Sequence, residues 1–371
     1  MRVGIDAHCL GQKKTGNETY THNLVSHLGH LDRDGIEYFV YLREKYDLSS
    51  SGFQGQSLHP KVFRLMNPLL RIPFAFGRES KIDKLDVFHA QYVLPYNLDC
   101  RTVLTVHDVL YERFPQLFPK LEYYWLRAGV RRSCQKADSI ITVSETSKRD
   151  IVEFYDIDPA RITVTYLGAD PRYHPLDREI AKKALKDQYG IEEDFILYVG
   201  AIQPRKNIAR LLSAFARLKN DLRIPHKLVI VGPKAWMVES TFAALQQSPA
   251  RDDVIVAGYV PTADLPYFYN AATVFVYISL CEGFGLPVIE AMACGAPTIT
   301  SRGSSLEEVS GQAAVLVDPS DETSIAEAMR RVLTDSELRS NLRELGIARS
   351  RDFSYCRMAS QTREIYRSLA T

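Results

Sequence analysis

The sequence predicts an α/β fold built on parallel sheets, and three observations carry that expectation. The first is the stretch Thr273–Ser301, T-V-F-V-Y-I-S-L-C-E-G-F-G-L-P-V-I-E-A-M-A-C-G-A-P-T-I-T-S. An apolar β-branched run, Thr273–Ser279, leads through a glycine loop to a short helical segment, Leu286–Cys294, and a second apolar run, Ala296–Thr300. Pro287 suits the first turn of that helix, where a missing N–H is harmless, and Gly295 suits its end. Strand, loop, helix, strand is one unit of a parallel sheet, whose ligands sit at the C-terminal ends of strands. The second observation is that the same alternation recurs along the chain. The third is length: 371 residues exceed one ordinary core and divide into two domains.

Composition narrows the class. With 46% hydrophobic and 25% charged residues, the chain reads as a soluble globular protein. A net charge of +1 provides no global field for nucleic acid. No apolar run approaches the ~20 residues of a membrane span. The start, Met1-Arg2-Val3-Gly4-Ile5-Asp6, goes straight into a strand and lacks signal-peptide form. The six cysteines show no C-x-x-C spacing, so the expectation is a reducing cytoplasm and no structural metal.

In order, Val3–Asp6 reads as a strand, Ala7–Lys14 as a loop, and Thr15-Gly16-Asn17 as the lead into a helix from Glu18 to His27. Gly16, after a strand and before a helix, can place backbone donors against a phosphate or an acceptor. This segment has no G-x-G-x-x-G, which counts against a nicotinamide site. Glu37–Leu42, Asp86–Ala90 and Thr102–Val106 are further strands, the last ending at His107-Asp108. His107 at a strand end can hydrogen-bond a sugar hydroxyl or a phosphate. Lys61–Lys81 reads as an irregular basic and apolar connection, and Pro119–Ala137 as a helix in which Lys120, Arg127 and Arg131 share a face. Either segment can be a solvated surface or lie on an anionic membrane. Ser144 is a good N-cap for the next helix, and Ile162–Thr165 is the last strand before a Gly- and Pro-bearing connector at Leu167–Pro171.

The second half opens with a charged helix, Asp177–Tyr189, and a strand, Phe195–Val199, followed by Gly200-Ala201-Ile202-Gln203-Pro204-Arg205-Lys206-Asn207 and a helix from Ile208 to Leu218. Arg205 can fork onto phosphate oxygens and Lys206 adds a point charge, a diphosphate grip at a strand end. Strands at Lys227–Val231 and Val254–Val256 follow, and the backbone at Tyr259 and Val260 can read a base edge. In the loop Cys281-Glu282-Gly283-Phe284-Gly285, Gly283 and Gly285 let N–H groups approach a ligand at the N-terminus of the helix begun by Leu286. Glu282 and Glu290 flank this loop. Ser301 to Ser305, with Gly303, offers further N–H groups, and Ser324–Thr334 and Glu337–Tyr366 read as closing helices.

Glu282-Gly-Phe-Gly-Leu-Pro-(x)2-Glu290 resembles the E-x7-E signature of the retaining glycosyltransferase family 4, enzymes of GT-B fold in which two Rossmann-like domains face each other across a cleft. T-V-H-D-V-L-Y-E-R-F-P, Y-V-G-A-I-Q-P-R-K-N and the segment after Ser301 also resemble that family, so the likeness covers nearly the whole chain. The resemblance implies an acceptor domain over residues 1–170, a donor domain over 171–350 and a terminal helix, 351–371, crossing back to the first. It implies that Glu290 holds the ribose, that Glu282 with Gly283, Phe284 and Gly285 holds the donor sugar, and that His107 reaches that sugar. It implies phosphate contacts from Gly200, Arg205, Lys206, Ser301 and Gly303, and a glycine-bearing loop at Gly16 that faces the cleft and the donor.

The implied reaction moves a hexose from a nucleotide-diphosphate sugar to an acceptor hydroxyl with retention, using cations and helix dipoles rather than a metal. GDP-mannose is the favoured donor because the Gln203–Asn207 segment looks most like mannosyl- and related polysaccharide transferases, with UDP-sugars next. The acceptor is a sugar or a lipid-linked one, met in the cytoplasm or at the inner face of a membrane. The alternatives are a GT-B-like epimerase, and a nucleotide-sugar-binding protein without catalysis.

Overall fold

Phe195–Val199, Lys227–Val231 and Val274–Tyr277 are apolar at nearly every position and buried at nearly every position. A strand covered by helices on both faces demands that pattern, because neither set of alternating side chains meets water. The computed structural model of the chain describes residues 1–11, 15–31, 35–43, 57–62 and 76–370. They fall into two units, Met1–Leu167 with Ser354–Thr371, and Gly168–Phe353.

The first unit holds β1 (Arg2–Asp6), β2 (Glu37–Leu42), β3 (Leu58–Val62), β4 (Val87–Gln91), β5 (Arg101–Thr105), β6 (Ser139–Thr142) and β7 (Ile162–Val164). Among the described residues these form one sheet in the order β3-β2-β1-β4-β5-β6-β7, paired parallel throughout. The second unit holds β8 (Phe195–Val199), β9 (Lys227–Val231), β10 (Val254–Gly258), β11 (Val274–Tyr277), β12 (Thr298–Ser301) and β13 (Val315–Val317). Their order is β10-β9-β8-β11-β12-β13, again all parallel. In both units the winding reverses beside the first strand, between β1 and β4 and between β8 and β11. The crevice outside the C-terminal ends of such a pair is where doubly wound sheets bind ligands.

Local signals set most helix ends. Ser144 caps Glu145–Tyr155 by accepting from the Ser147 N–H, and Asp177 caps Arg178–Tyr189. The second residue of Leu286–Ala293 is Pro287, and Gly295 follows the helix at φ 75°. Four expectations need correction. The first helix runs Thr15–His30, so Gly16 lies in its first turn rather than in the loop before it. The stretch Lys61–Lys81, expected to be irregular, begins within a strand, β3 (Leu58–Val62), and ends within a helix, Phe76–Ile82; β3 contains Pro60, which is tolerated because β3 is an edge strand. The short edge strand β13 and the helix Glu239–Gln247 were not anticipated. The closing helix expected over Glu337–Tyr366 is two, Ser336–Ser350 and Tyr355–Ala370. Phe353 is buried between them, and Ser354 starts the second, its carbonyl accepting from the Met358 N–H.

The Tyr355–Ala370 helix belongs to the first unit. It buries Tyr366 against β4, where the phenol lies 2.6 Å from Nδ1 of His89. Residues 63–75, which carry most of the basic and apolar stretch Lys61–Lys81, including Arg64, Met66, Leu69, Leu70, Arg71, Ile72 and Phe74, lie outside the described residues. No helix among the described residues is long and apolar enough to cross a membrane.

Two glycines separate local strain from free space. A Cβ on Gly232 (φ 144°) would stand 2.0 Å from the Gly200 carbonyl oxygen, where β8 and β9 leave the sheet, whereas a Cβ on Gly16 would meet nothing within 4 Å. Gly232→Ala is therefore expected to lower stability by about 1–3 kcal/mol from backbone strain, with a similar penalty from the clash. Gly16→Ala should be neutral or raise stability by up to about 1 kcal/mol. Urea midpoints of both variants check this, and equal midpoints would remove the close approach of β8 and β9 as a constraint.

Candidate active site

The loop after β8 and the loop after β11 flank the reversal point of the second sheet, and the sequence places opposite charges on them. Pro204–Lys206 form one turn of 3-10 helix, and Asn207 follows at φ 61°. The Asn207 amide donates to the carbonyls of Ile278 (3.1 Å) and Pro319 (2.6 Å), and the Leu280 N–H donates to the Arg205 carbonyl at 2.8 Å. The two loops are thus stitched through their backbones, which aims their side chains at one point.

There Glu282 accepts from Arg205 NH1 at 2.7 Å on one carboxylate oxygen and from Lys206 Nζ at 2.5 Å on the other. The Tyr277 hydroxyl donates to the second oxygen at 3.0 Å and accepts from Lys206, whose ammonium also lies 4.8 Å from the Tyr277 ring centre. Only 8% of the Glu282 and Lys206 side chains is exposed, against 21% for Arg205, so Arg205 is the member of the group most open to a ligand. Burial alone would push the Glu282 carboxyl up, but the two cations outweigh it and hold it well below the usual carboxylate range. Burial and the Arg205 charge push the Lys206 ammonium down, and Glu282 opposes them. Two cations against one carboxylate leave a surplus positive charge at a strand end, suited to an anion.

The glycine loop continues the site. Gly285 takes φ 103° immediately before the Leu286–Ala293 helix, and a Cβ there would strike Leu306 at 2.3 Å. Phe284 is buried with its ring edge-on to Phe353. The Ser305 hydroxyl donates to the carbonyls of Glu282 (2.7 Å) and Phe284 (3.3 Å), fixing the path through Gly283. Two turns on, Glu290 accepts from the Tyr269 hydroxyl at 2.9 Å, and the Tyr173 phenol also acts to lower its pKa. Burial raises its carboxyl to about 7 despite those two phenols.

The remaining expected residues of this unit share the same sheet edge because every strand is parallel. Gly200 (φ 154°) closes β8 and donates to the Val231 carbonyl. Tyr259 follows the edge strand β10 with 62% of its surface exposed, beside buried Val260. Ser301 is buried, its hydroxyl committed to the Ser279 carbonyl at 2.7 Å. The Gly303 N–H, read from the sequence as a phosphate donor, gives its hydrogen bond to the Glu307 carboxylate at 2.7 Å. Gly16 and His107 belong to the first unit. His107 is buried, its Nε2 lies 3.0 Å from the Gln91 amide oxygen, and burial lowers it to about 4, which keeps the ring neutral near pH 7.

Sequence reasoning missed Tyr277, Tyr269, Tyr173, Gln91 and Thr21. The signal available for the tyrosines was chemical: Tyr277 ends an apolar strand, and a buried phenol needs a hydrogen-bond partner.

Comparison with known proteins agrees with this geometry. Residues 181–349 match the family Glycosyl transferases group 1, and residues 15–173 match Glycosyltransferase Family 4. The chain is 32% identical over 284 residues to the O-antigen chain mannosyltransferase B of Escherichia coli, covering 76% of this chain and 74% of that one. It is 30% identical over 270 residues to the serotype-specific mannosyltransferase WbdA of Escherichia coli, covering 71% of this chain but only 33% of that longer protein. In structure it resembles the sucrose-phosphate synthase of Thermosynechococcus elongatus at a TM-score of 0.79 and 20% identity, over 100% of this chain and 99% of that one. With two doubly wound parallel sheets and a Glu282–Glu290 loop at the reversal point of the second, the chain belongs to glycosyltransferase family 4 and is a transferase of GT-B fold.

Proposed function

We propose that this glycosyltransferase moves a hexose, mannose in the favoured case, from a nucleotide-diphosphate sugar to an acceptor hydroxyl, with retention at the anomeric carbon and without a metal. The observation that carries the reading is the meeting of Arg205, Lys206 and Glu282 at the reversal point of the second sheet. GDP-mannose is favoured as donor because the relatives bear the name mannosyltransferase, and a UDP-sugar is the alternative. The acceptor is a growing polysaccharide or glycolipid, in keeping with the O-antigen relative.

In this reading Arg205 turns toward the leaving diphosphate while Lys206 stays on Glu282 and adds its charge. Lys206, already in place, stabilises the developing negative charge without reorganising. Glu290 accepts from the ribose hydroxyls, and Glu282 meets hydroxyls of the donor sugar. Both Glu282 oxygens already bind cations and its carboxyl is held strongly acidic, which supports a binding role over nucleophilic attack. Retention then follows from attack on the face the phosphate leaves. The anomeric carbon–phosphate oxygen bond breaks, the acceptor oxygen bonds that carbon, and a phosphate oxygen takes the acceptor's proton.

A weak peripheral membrane contact is part of the proposal. The Lys120–Lys136 helix exposes Leu121 (85%), Tyr124 (65%) and Trp125 (46%), and it also exposes Lys120 and Arg131. Aromatic rings suit the headgroup region, and each cation near an anionic surface contributes about 1 kcal/mol, less in salt. Co-sedimentation with anionic vesicles at low salt tests it. The expected result is binding that Leu121→Glu with Trp125→Glu abolishes, and equal recovery in the supernatant with and without lipid would make this face an ordinary solvated one.

Lys206→Ala is expected to depress turnover of the sugar nucleotide roughly 10²–10³-fold. It should also cost about 1–3 kcal/mol of stability, because Glu282 and Tyr277 lose a buried partner. Wild-type turnover should persist in excess EDTA. A near-normal Lys206→Ala rate, or EDTA loss reversed by magnesium, would overturn the corresponding part of the mechanism.

Glu290 makes nucleotide binding pH-dependent. Its carboxyl is raised to about 7 in the folded protein, so it is largely protonated below that pH and ionised above it. Ribose hydroxyls favour the ionised acceptor, so nucleoside diphosphate affinity should rise as pH climbs through about 7. The same raised pKa makes its contribution to stability fall over the range between the ordinary carboxylate pKa and about 7. Isothermal titration from pH 6 to 8 should show the rise in wild type and a flat, weaker profile in Glu290→Gln. A flat wild-type profile would remove Glu290 from the ribose.

A further inference from the structure

The reversal point of the first sheet carries its own polar chain, and the direction of the protons between Thr21 and His107 can be worked out. Thr21 Oγ1 lies 2.8 Å from the backbone carbonyl of Asn17, which can only accept, so the hydroxyl gives its single proton there. Toward its other neighbours Thr21 Oγ1 is then an acceptor, for the Gln91 amide nitrogen at 2.6 Å and the Cys9 thiol at 3.1 Å. Reversing the Gln91 amide would set two lone pairs against each other at that distance. With its nitrogen on Thr21, Gln91 turns its oxygen to His107 Nε2, 3.0 Å away. An amide oxygen accepts, so Nε2 must carry the hydrogen, and a neutral imidazole has only one.

We propose that Thr21 and Gln91 are positioning residues that hold His107 as the Nε2–H tautomer, so that its Nδ1 offers a lone pair to a hydroxyl of the bound sugar rather than a proton to a phosphate. This rests on the transferase reading above and on the expectation, from the family resemblance, that His107 reaches the donor sugar. The topology favours it: Gln91 ends β4, Cys9 and Thr21 follow β1, and His107 lies just beyond β5, all at the ligand edge of that sheet. Nδ1 has no hydrogen-bond partner among the described residues. The ring is held edge-on by Tyr20 at 4.7 Å and meets the tilted ring of Tyr92 at 5.6 Å. Tyr20 is itself held by Thr105 at 2.9 Å, and Thr105 lies 2.7 Å from Nε2 of the buried His89. Burial lowers both histidines, so His107 acts as a neutral acceptor across ordinary pH.

The test is a two-bond proton–nitrogen correlation spectrum of the full chain labelled at its nine histidines, with His107 assigned by its loss in His107→Gln. At pH 7, without substrate, the expected pattern is a pyrrole-type Nε2 and a pyridine-type Nδ1. Gln91→Glu keeps an acceptor opposite Nε2 and should preserve the N–H there, with the Thr21 hydroxyl turning to donate to the new carboxylate. Gln91→Leu should mix the tautomers and lower kcat for sugar-nucleotide turnover about tenfold, the size of one net hydrogen bond. A pyrrole-type Nδ1 in the wild type overturns the proposal, as does a Gln91→Leu variant that keeps both tautomer and kcat. The wild-type spectrum needs no variant to fold. It is also independent of turnover: an expected spectrum from a protein that turns over no sugar nucleotide would indict the transferase reading instead.

Discussion

Glu282 holds Arg205 and Lys206 together, and the second unit is arranged around that contact. Its energetics explain why it is there. Taking three charges out of water costs about as much as their attraction returns, and well-packed apolar side chains often do as well or better. The cluster is therefore poor as a device for stability. Its position, on two loops stitched backbone to backbone at the reversal point of a parallel sheet, is what makes it useful. Removing one partner would strand the others in a nearly dry site, so the three residues act as one group.

The two carboxylates of the loop are driven apart by their surroundings. Glu282 faces cations and stays ionised; Glu290 faces two phenols in a desolvated pocket and sits near neutrality. Environments that separate two similar groups in this way divide labour between them. Glu282 stays ionised near neutral pH and holds Lys206 in place, while Glu290 can change its proton state when a hydroxyl-bearing ligand arrives. The first unit makes a parallel provision with neutral groups, in which a threonine and a glutamine settle the state of a histidine without any charge.

Much of this was legible in the sequence. β8 and β9 match the apolar runs residue for residue, because strands buried on both faces carry an uninterrupted signal bounded by glycine. Arg205, Lys206 and Glu282 were legible as strand-end residues, since the parallel sheet puts every strand end on one edge. The edge strands were harder: β3 carries a proline, and β13 has three residues. The break at Ser354 was hidden because the apolar spacing on either side looks continuous. The partners that tune the site were illegible for a different reason. Gln91 and Thr21 are separated by 70 positions, and Lys206 and Tyr277 by 71, and no local pattern says that such residues will touch.

The last helix has a consequence for the order in which the protein is made. Residues 354–371 pack within the unit that residues 1–167 begin, and Tyr366 closes over His89 in its interior. During synthesis the second unit, Gly168–Phe353, emerges whole and uninterrupted, while the first waits for the final stretch of chain. Until residues 354–371 are made, β4 lacks the cover that Tyr366 provides. The unit begun by residues 1–167 is thus completed only after the whole of Gly168–Phe353 has been made.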